Sequence, residues 1–248
     1  MTDSLVVSEP QTGVRQLTIA RPLRKNALDR ATYRALSAAF RAAENDDAVR
    51  AVVLTGAEGI FTAGNDLADF QDLDDAGGAS DALEFLHVIS GFSRPVIAAV
   101  EGVAVGIGVT LLLHCDLAYA GGSTTFRMPF VALGLCPEGA STYLLPQLAG
   151  SKRAAELLYF GEPFGAEEAQ AAGIVNAVTD DGAALGLALE RAAGLAALPA
   201  DSVRETKRLM RAGSARAVSE TLDREGEAFQ RLRQGPAAQA AFAAFFRK

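Results

Sequence analysis

RPVIAAVEGVAVGIGVTLLLHCDLAYA (94–120) is the stretch whose reading decides the fold. Pro95 opens an apolar run, VIAAVEG (96–102), which reads as a strand buried on both faces. The following segment, GVAVGIGVTLLLHCD (102–116), starts with glycines and ends as an apolar helix, and LAYA (117–120) is a second buried strand. Strand, turn, helix and strand within so few residues describe an α/β unit with parallel strands. Working outward, AVVLTG (51–56) is another buried strand ended by Gly, and VRQLTIA (14–20) alternates as a strand does. Between them lies a helix over 30–45, with Asp29 as its N-cap and Tyr33, Leu36 and Phe40 at helical spacing. Residues 57–65 form a loop rich in Gly and Ala. Residues 69–81 (DFQDLDDAGGASD) read as an acidic mobile surface segment, and 83–91 as a helix. From 151 onward the pattern is helical over 151–159, 166–172, 185–197, 201–211, 216–232 and 236–247, interrupted by one strand, IVNAV (174–178). The order is an α/β core followed by a helical C-terminal part.

Composition narrows the function. The chain has 248 residues, a formal net charge of −7 and a pI of about 5.0, which disfavours binding to nucleic acid through its phosphates. Charges interrupt every apolar run before membrane-spanning length, and MTDSLVVSEP has no signal-peptide layout, so the expected location is cytoplasmic with no membrane partner. Cys115 and Cys136 lie in apolar surroundings and read as two buried reduced thiols, with no metal-ligand spacing. His87 and His114 are the only histidines, and neither sits in a nucleophile motif. Asp72, Asp74 and Asp75 read as a solvated loop and not a cation site.

Chemistry concentrates in two Gly-containing loops that follow buried strands, FTAGNDL (61–67) and GVAVGIGV (102–109). Such loops let a ligand approach bare backbone N–H groups, and two of them could aim two donors at one oxygen. Taken alone, each loop reads more readily as plain packing. There is no GxGxxG, no GxxxxGK[ST] and no GxSxG, which argues against a dinucleotide site, a P-loop and a hydrolase nucleophile.

Together with RPLRKNALD (21–29), FTAGNDLADF (61–70), TFRMPFVALGLCPEGAS (125–141) and FGEPFGAEEAQAAGIVNAV (160–178), these stretches resemble the crotonase, or enoyl-CoA hydratase/isomerase, superfamily. The resemblance implies an α/β spiral of ββα turns with a helical C-terminal trimerisation region. It divides the chain into a spiral core with an acyl-CoA site (1–190) and a helical oligomerisation region (191–248). It also implies a homotrimer or a dimer of trimers, and no cofactor beyond the coenzyme A carried by the substrate. By the same resemblance the thioester oxygen takes the backbone N–H groups of Asn65 and Ile107, with the Asn65 side chain idle. Ala63, Gly64, Asn65, Asp66 and Leu67 line the adenine and pantetheine side, and Arg24 and Lys25 lie near the nucleotide phosphates. Because Ile107 replaces the usual Gly, an ordinary negative φ is expected there.

A hydratase of this family needs two glutamates, at the positions of Thr110 and Phe130 in this chain. Neither residue can activate water. The carboxylate appears instead at Glu138, in LCPEGAS, which resembles the Δ3,Δ2-enoyl-CoA isomerase branch. There a single base carries a proton from C2 to C4. The other readings are a different crotonase-type acyl-CoA enzyme, hydratase-like, and a non-catalytic acyl-CoA-binding scaffold. From spacing alone Glu138 reads better as a helix-start acid, since acids favour helix N-termini, and the family context is what turns the reading to catalysis. Phe242, Phe245 and Phe246 read as subunit packing on a terminal helix.

Overall fold

The computed structural model describes residues 4–70 and 77–247. Its main sheet contains β1 (Leu5–Gln11), β2 (Val14–Ile19), β3 (Ala51–Gly56), β4 (Val96–Val100), β6 (Leu117–Gly121) and β9 (Ala177–Thr179), side by side in that order. β1 pairs antiparallel with β2, and every other neighbouring pair is parallel. A smaller sheet holds β5 (Val103–Val105), β7 (Thr125–Arg127) and β8 (Phe164–Gly165). The chain steps from β4 straight into β5 and from β6 into β7, so each turn gives one strand to each layer. Two single bridges extend the second layer backward: Thr62 pairs with Ala104, and Leu28 pairs with Asn65. The repeating unit is therefore strand, second strand, helix: a spiral of ββα turns.

The two faces of the main sheet follow from period-two alternation. Val52 and Leu54 point into the larger core with α1 (Arg30–Glu44) and α2 (Gly77–Gly91), while Ala51 and Val53 point to the other face. There α7 (Ala184–Ala196) lies on the strands through Ala184, Ala188 and Ala192, all fully buried. An alanine every fourth residue lets the helix approach closely. The larger core carries a chain of rings: Tyr33 and Phe85 at 5.9 Å, Phe85 and Phe40 at 6.1 Å, Phe40 and Phe92 at 5.1 Å. The remaining helices are α3 (Ile107–Thr110), α4 (Ser141–Ala149), α5 (Ser151–Phe160), α6 (Ala166–Ala171), α8 (Ala200–Ala212), α9 (Ala215–Arg233) and α10 (Pro236–Phe246).

Several expectations need correction. The apolar helix expected toward residue 116 is only the single turn of α3 and a 3-10 turn at Leu111–His114, after which Cys115 is already extended. The late strand is not 174–178 but Ala177–Thr179, because Ile174 and Val175 turn back onto Ala169. Within 69–81, residues 77–81 belong to α2 and 67–70 form a 3-10 turn. Asp72, Asp74 and Asp75 lie outside the described residues. Cys115 and Cys136 are partly and not fully buried. Phe242 is buried within its own chain, while Phe245 is exposed. Among the described residues no helix is long and apolar enough to cross a membrane.

Candidate active site

The two glycine loops lie side by side because the second layer pairs them. Thr62 donates its N–H to the Val103 carbonyl at 3.0 Å and accepts from the Val105 N–H at 3.1 Å. Gly64 has φ +85°, and a Cβ there would stand 2.4 Å from the Val105 carbonyl oxygen, so only glycine permits this approach. Gly106, at φ +56°, turns the chain into α3. Ile107 follows as the first helical residue, fully buried and at negative φ, so the replacement of Gly costs no strain. An N–H in the first turn of a helix has no partner within the helix. The Asn65 N–H likewise donates to no backbone carbonyl among the described residues, whereas its neighbours are tied: Leu28 N–H to Gly64 O at 2.8 Å and Asp66 N–H to Leu28 O at 2.9 Å.

The other loop residues have plain structural partners. The Ala63 N–H donates to the Lys25 carbonyl at 2.9 Å, which fastens the first glycine loop to the turn carrying Arg24 and Lys25. Both of these side chains are exposed, and neither is in an ion pair among the described residues. Asp66 accepts from Arg21 at 3.0 Å and from the Ala68 N–H at 3.3 Å, so it orders its own loop. Leu67 packs on the core.

Glu138 sits in the loop before α4, only 8% exposed, at the wall of a cavity of about 600 Å³. Leu83 and Leu86 of α2 and Leu222 and Phe229 of α9 line the same cavity. One Glu138 oxygen accepts from Asn65 Nδ2 at 3.1 Å, and Asn65 Oδ1 in turn accepts from the Tyr33 hydroxyl. The motif asks only for the Asn65 N–H, but the structure engages its side chain as well. Burial pushes the Glu138 carboxyl up to about 8; the Asn65 hydrogen bond opposes that and the nearby Glu225 carboxylate adds to it. Burial also holds the Tyr33 hydroxyl well above its ordinary value, so it stays a neutral donor. Among the described residues no cation pairs with Glu138. A carboxyl in this setting is poised to take and return a proton near neutral pH.

The helix-start reading of Glu138 fails on geometry. The donors at the start of α4 go to Glu225, which reaches across from α9 to accept from Ala140 N–H at 2.6 Å, Thr142 N–H at 3.0 Å and Thr142 Oγ1 at 2.6 Å. Sequence reading missed Glu225, since one glutamate in a helix rich in charge carries no signal. It took Tyr33 only as a core position. Thr110 and Phe130 are buried, the Phe130 ring 3.8 Å from where a Gly106 Cβ would stand, and neither is an acid or base. His114 is held neutral, burial lowering it to about 4, and bonds to the Gly139 carbonyl at 2.8 Å. Burial pushes the thiols of Cys115 and Cys136 up to about 12 and about 11, which removes them as nucleophiles.

The model of the enoyl-CoA hydratase/isomerase family matches residues 9–248. The chain belongs to the enoyl-CoA hydratase/isomerase family. It is similar to rat enoyl-CoA delta isomerase 2 (Rattus norvegicus), with 38% identity over 84% of this chain and 54% of that protein. The chain thus spans about half the length of that relative. It is also similar to 2,3-dehydroadipyl-CoA hydratase of Escherichia coli, with 33% identity over 92% of this chain and 89% of that one. Among solved structures, Pseudomonas aeruginosa OdaA superposes over the whole of both chains with a TM-score of 0.94 and 39% identity. The crotonase spiral expected from the motifs is the fold of this family member, and relatives of both reaction names stand at similar distance.

Proposed function

We propose that this family member is a Δ3,Δ2-enoyl-CoA isomerase. The single observation that carries the reading is one buried carboxyl, Glu138, at the wall of a mainly apolar cavity, with no cation paired to it among the described residues. In the proposed reaction Glu138 removes a proton from C2 of a 3-enoyl thioester. Negative charge moves onto the thioester oxygen, which takes the N–H groups of Asn65 and Ile107, and Glu138 returns the proton at C4. Donors fixed before the reaction stabilise that charge, and losing one typically costs ~10²–10³-fold in rate. Arg24 and Lys25 are assigned to the phosphates of coenzyme A, and residues 63–67 to its adenine and pantetheine.

Hydration is the second reading, since one relative bears a hydratase name. What disfavours it is Thr110 and Phe130 at the two positions where water would be activated. What disfavours Glu225 in that role is its engagement by the Ala140 N–H and by both donors of Thr142. The test is to supply 3-enoyl-CoA and 2-enoyl-CoA separately and identify products by mass and ultraviolet absorbance. Conversion of the first to the second without 3-hydroxyacyl-CoA is expected; rapid hydration of 2-enoyl-CoA would reject the assignment.

The same reading carries a homotrimer or a dimer of trimers. Leu209 and Met210 on α8 and Tyr159 and Phe160 on α5 are large apolar side chains left more than half exposed. Light scattering should give a multiple of 25.8 kDa, and a 25.8 kDa particle at micromolar concentration would refute it.

A further inference from the structure

We propose that Glu225 of α9 is a positioning residue for Glu138: by gripping residues 140 and 142 it fixes the loop from which the Glu138 carboxyl reaches the cavity. The inference rests on the proposed role of Glu138 as the base. Glu225 is 6% exposed and lines the same cavity, on the helix that supplies Leu222 and Phe229. One of its oxygens takes the Ala140 N–H, two residues beyond Glu138, and the other takes both donors of Thr142. Its three donors all come from residues 140 and 142, so it acts through the Glu138 loop and not on the reacting atoms. Ala140 is in the left-handed region at φ +53°, a conformation an L side chain rarely adopts unless held. Glu225 supplies the hold from outside the loop, and His114 supplies a second one at Gly139.

The charge of Glu225 opposes ionisation of Glu138, in the same direction as burial. Among the described residues the groups around Glu138 are Asn65, backed by Tyr33 of α1, Glu225 of α9, Cys136 on its own loop and His114 bonded to Gly139, with Asp223 (bonded to His87) and Glu227 of α9 lining the same cavity. Burial raises the Glu225 carboxyl, and the hydrogen bonds from Thr142 and Ala140, followed by the Arg224 guanidinium, oppose that rise. Among the described residues Glu225 is the acidic group that bears on Glu138. The Glu138 loop is thus both placed and tuned by one residue 87 positions away in sequence.

The test compares wild type with Glu225→Gln using 3-hexenoyl-CoA. Gln keeps the shape and one acceptor oxygen but loses the charge and part of the grip. The expected result is a kcat lowered ~10²-fold with KM within about threefold, as for a misplaced catalytic group. The acid limb of kcat/KM should also move to lower pH. If Glu225 only caps α4, the variant will melt earlier with wild-type kcat and an unmoved limb, which overturns the proposal. Should circular dichroism show Glu225→Gln unfolded, Thr142→Val decides instead: it removes one donor to Glu225, and a several-fold fall in kcat supports the proposal while wild-type kcat overturns it. If the wild type does not isomerise at all, the functional reading falls separately. Infrared difference spectra between chains with and without Glu138→Gln then isolate the Glu138 carboxyl band without substrate. Its titration midpoint should be lower in the Glu225→Gln background, and an unchanged midpoint overturns the inference.

Discussion

Glu138 and Asp116 are both drawn away from water, but their surroundings differ. Asp116, just ahead of β6, accepts from Lys207 Nζ at 2.7 Å, Arg211 Nη2 at 2.9 Å and the Val96 N–H at 2.8 Å. Lys207 also donates to the Arg94 carbonyl at 2.6 Å and lies over the Phe92 ring at 5.6 Å. This cluster ties α8 to the ends of β4 and β6, and every charge in it has a partner. Glu138 has one amide donor, a like charge nearby and a cavity in front of it. A carboxylate neutralised by two cations holds the fold together; a buried one left without a cation is available to exchange a proton.

The largest expected effect comes from removing the unpaired one. Glu138→Gln should lower kcat for 3-enoyl-CoA by ~10²–10⁴-fold with little change in KM, because Gln keeps the size but cannot carry the proton. Steady-state kinetics on the purified variant checks this. Asp116→Asn attacks the other pole: it leaves Lys207 and Arg211 facing each other without an anion. Urea titration should show a loss of about 3 kcal/mol, the low end of the range for breaking a buried pair because Asp116 is still a quarter exposed. Its kcat should stay within about threefold of wild type, so the two variants separate chemistry from stability.

Stability against pH sharpens the contrast. The Glu138 carboxyl is raised in the folded state, from 4.5 to about 8, so the folded chain is favoured while the group is protonated and loses that advantage as pH rises through about 8. Glu138→Gln has no such group. Its melting temperature relative to wild type should therefore rise between pH 5 and pH 9; a constant difference would mean Glu138 is not buried as described. The smallest effect is at the exposed cations. Arg24→Ala with Lys25→Ala should weaken coenzyme A binding about five- to tenfold at low salt and hardly at all at high salt, as exposed charge pairs do. Calorimetry at two ionic strengths reads it.

What could be read from sequence divides along similar lines. AVVLTG matched β3 residue for residue, because a fully buried strand must be apolar throughout. Asp29 does cap α1, accepting from the Thr32 N–H at 2.8 Å, a local contact that spacing alone encodes. The glycine loops were legible because φ +85° at Gly64 and +56° at Gly106 leave few other residues possible. By contrast β5, β7 and β8 are two or three residues long, too short to carry a period, and exist only because the spiral brings them together. Glu138 stood out through its PEG context. The Asn65, Tyr33 and Glu225 contacts that set its behaviour come from three other elements, and nothing local in sequence announces them.

The claim that Glu138 moves one proton between two carbons is tested most directly by isotope. Wild-type protein would be given 3-hexenoyl-CoA deuterated at C2 and stopped within a single turnover, and the 2-hexenoyl-CoA formed examined for deuterium at C4. The account predicts measurable deuterium at C4, diluted by exchange with solvent and absent with Glu138→Gln. Isomerisation that draws the C4 hydrogen wholly from solvent at the earliest times would contradict it.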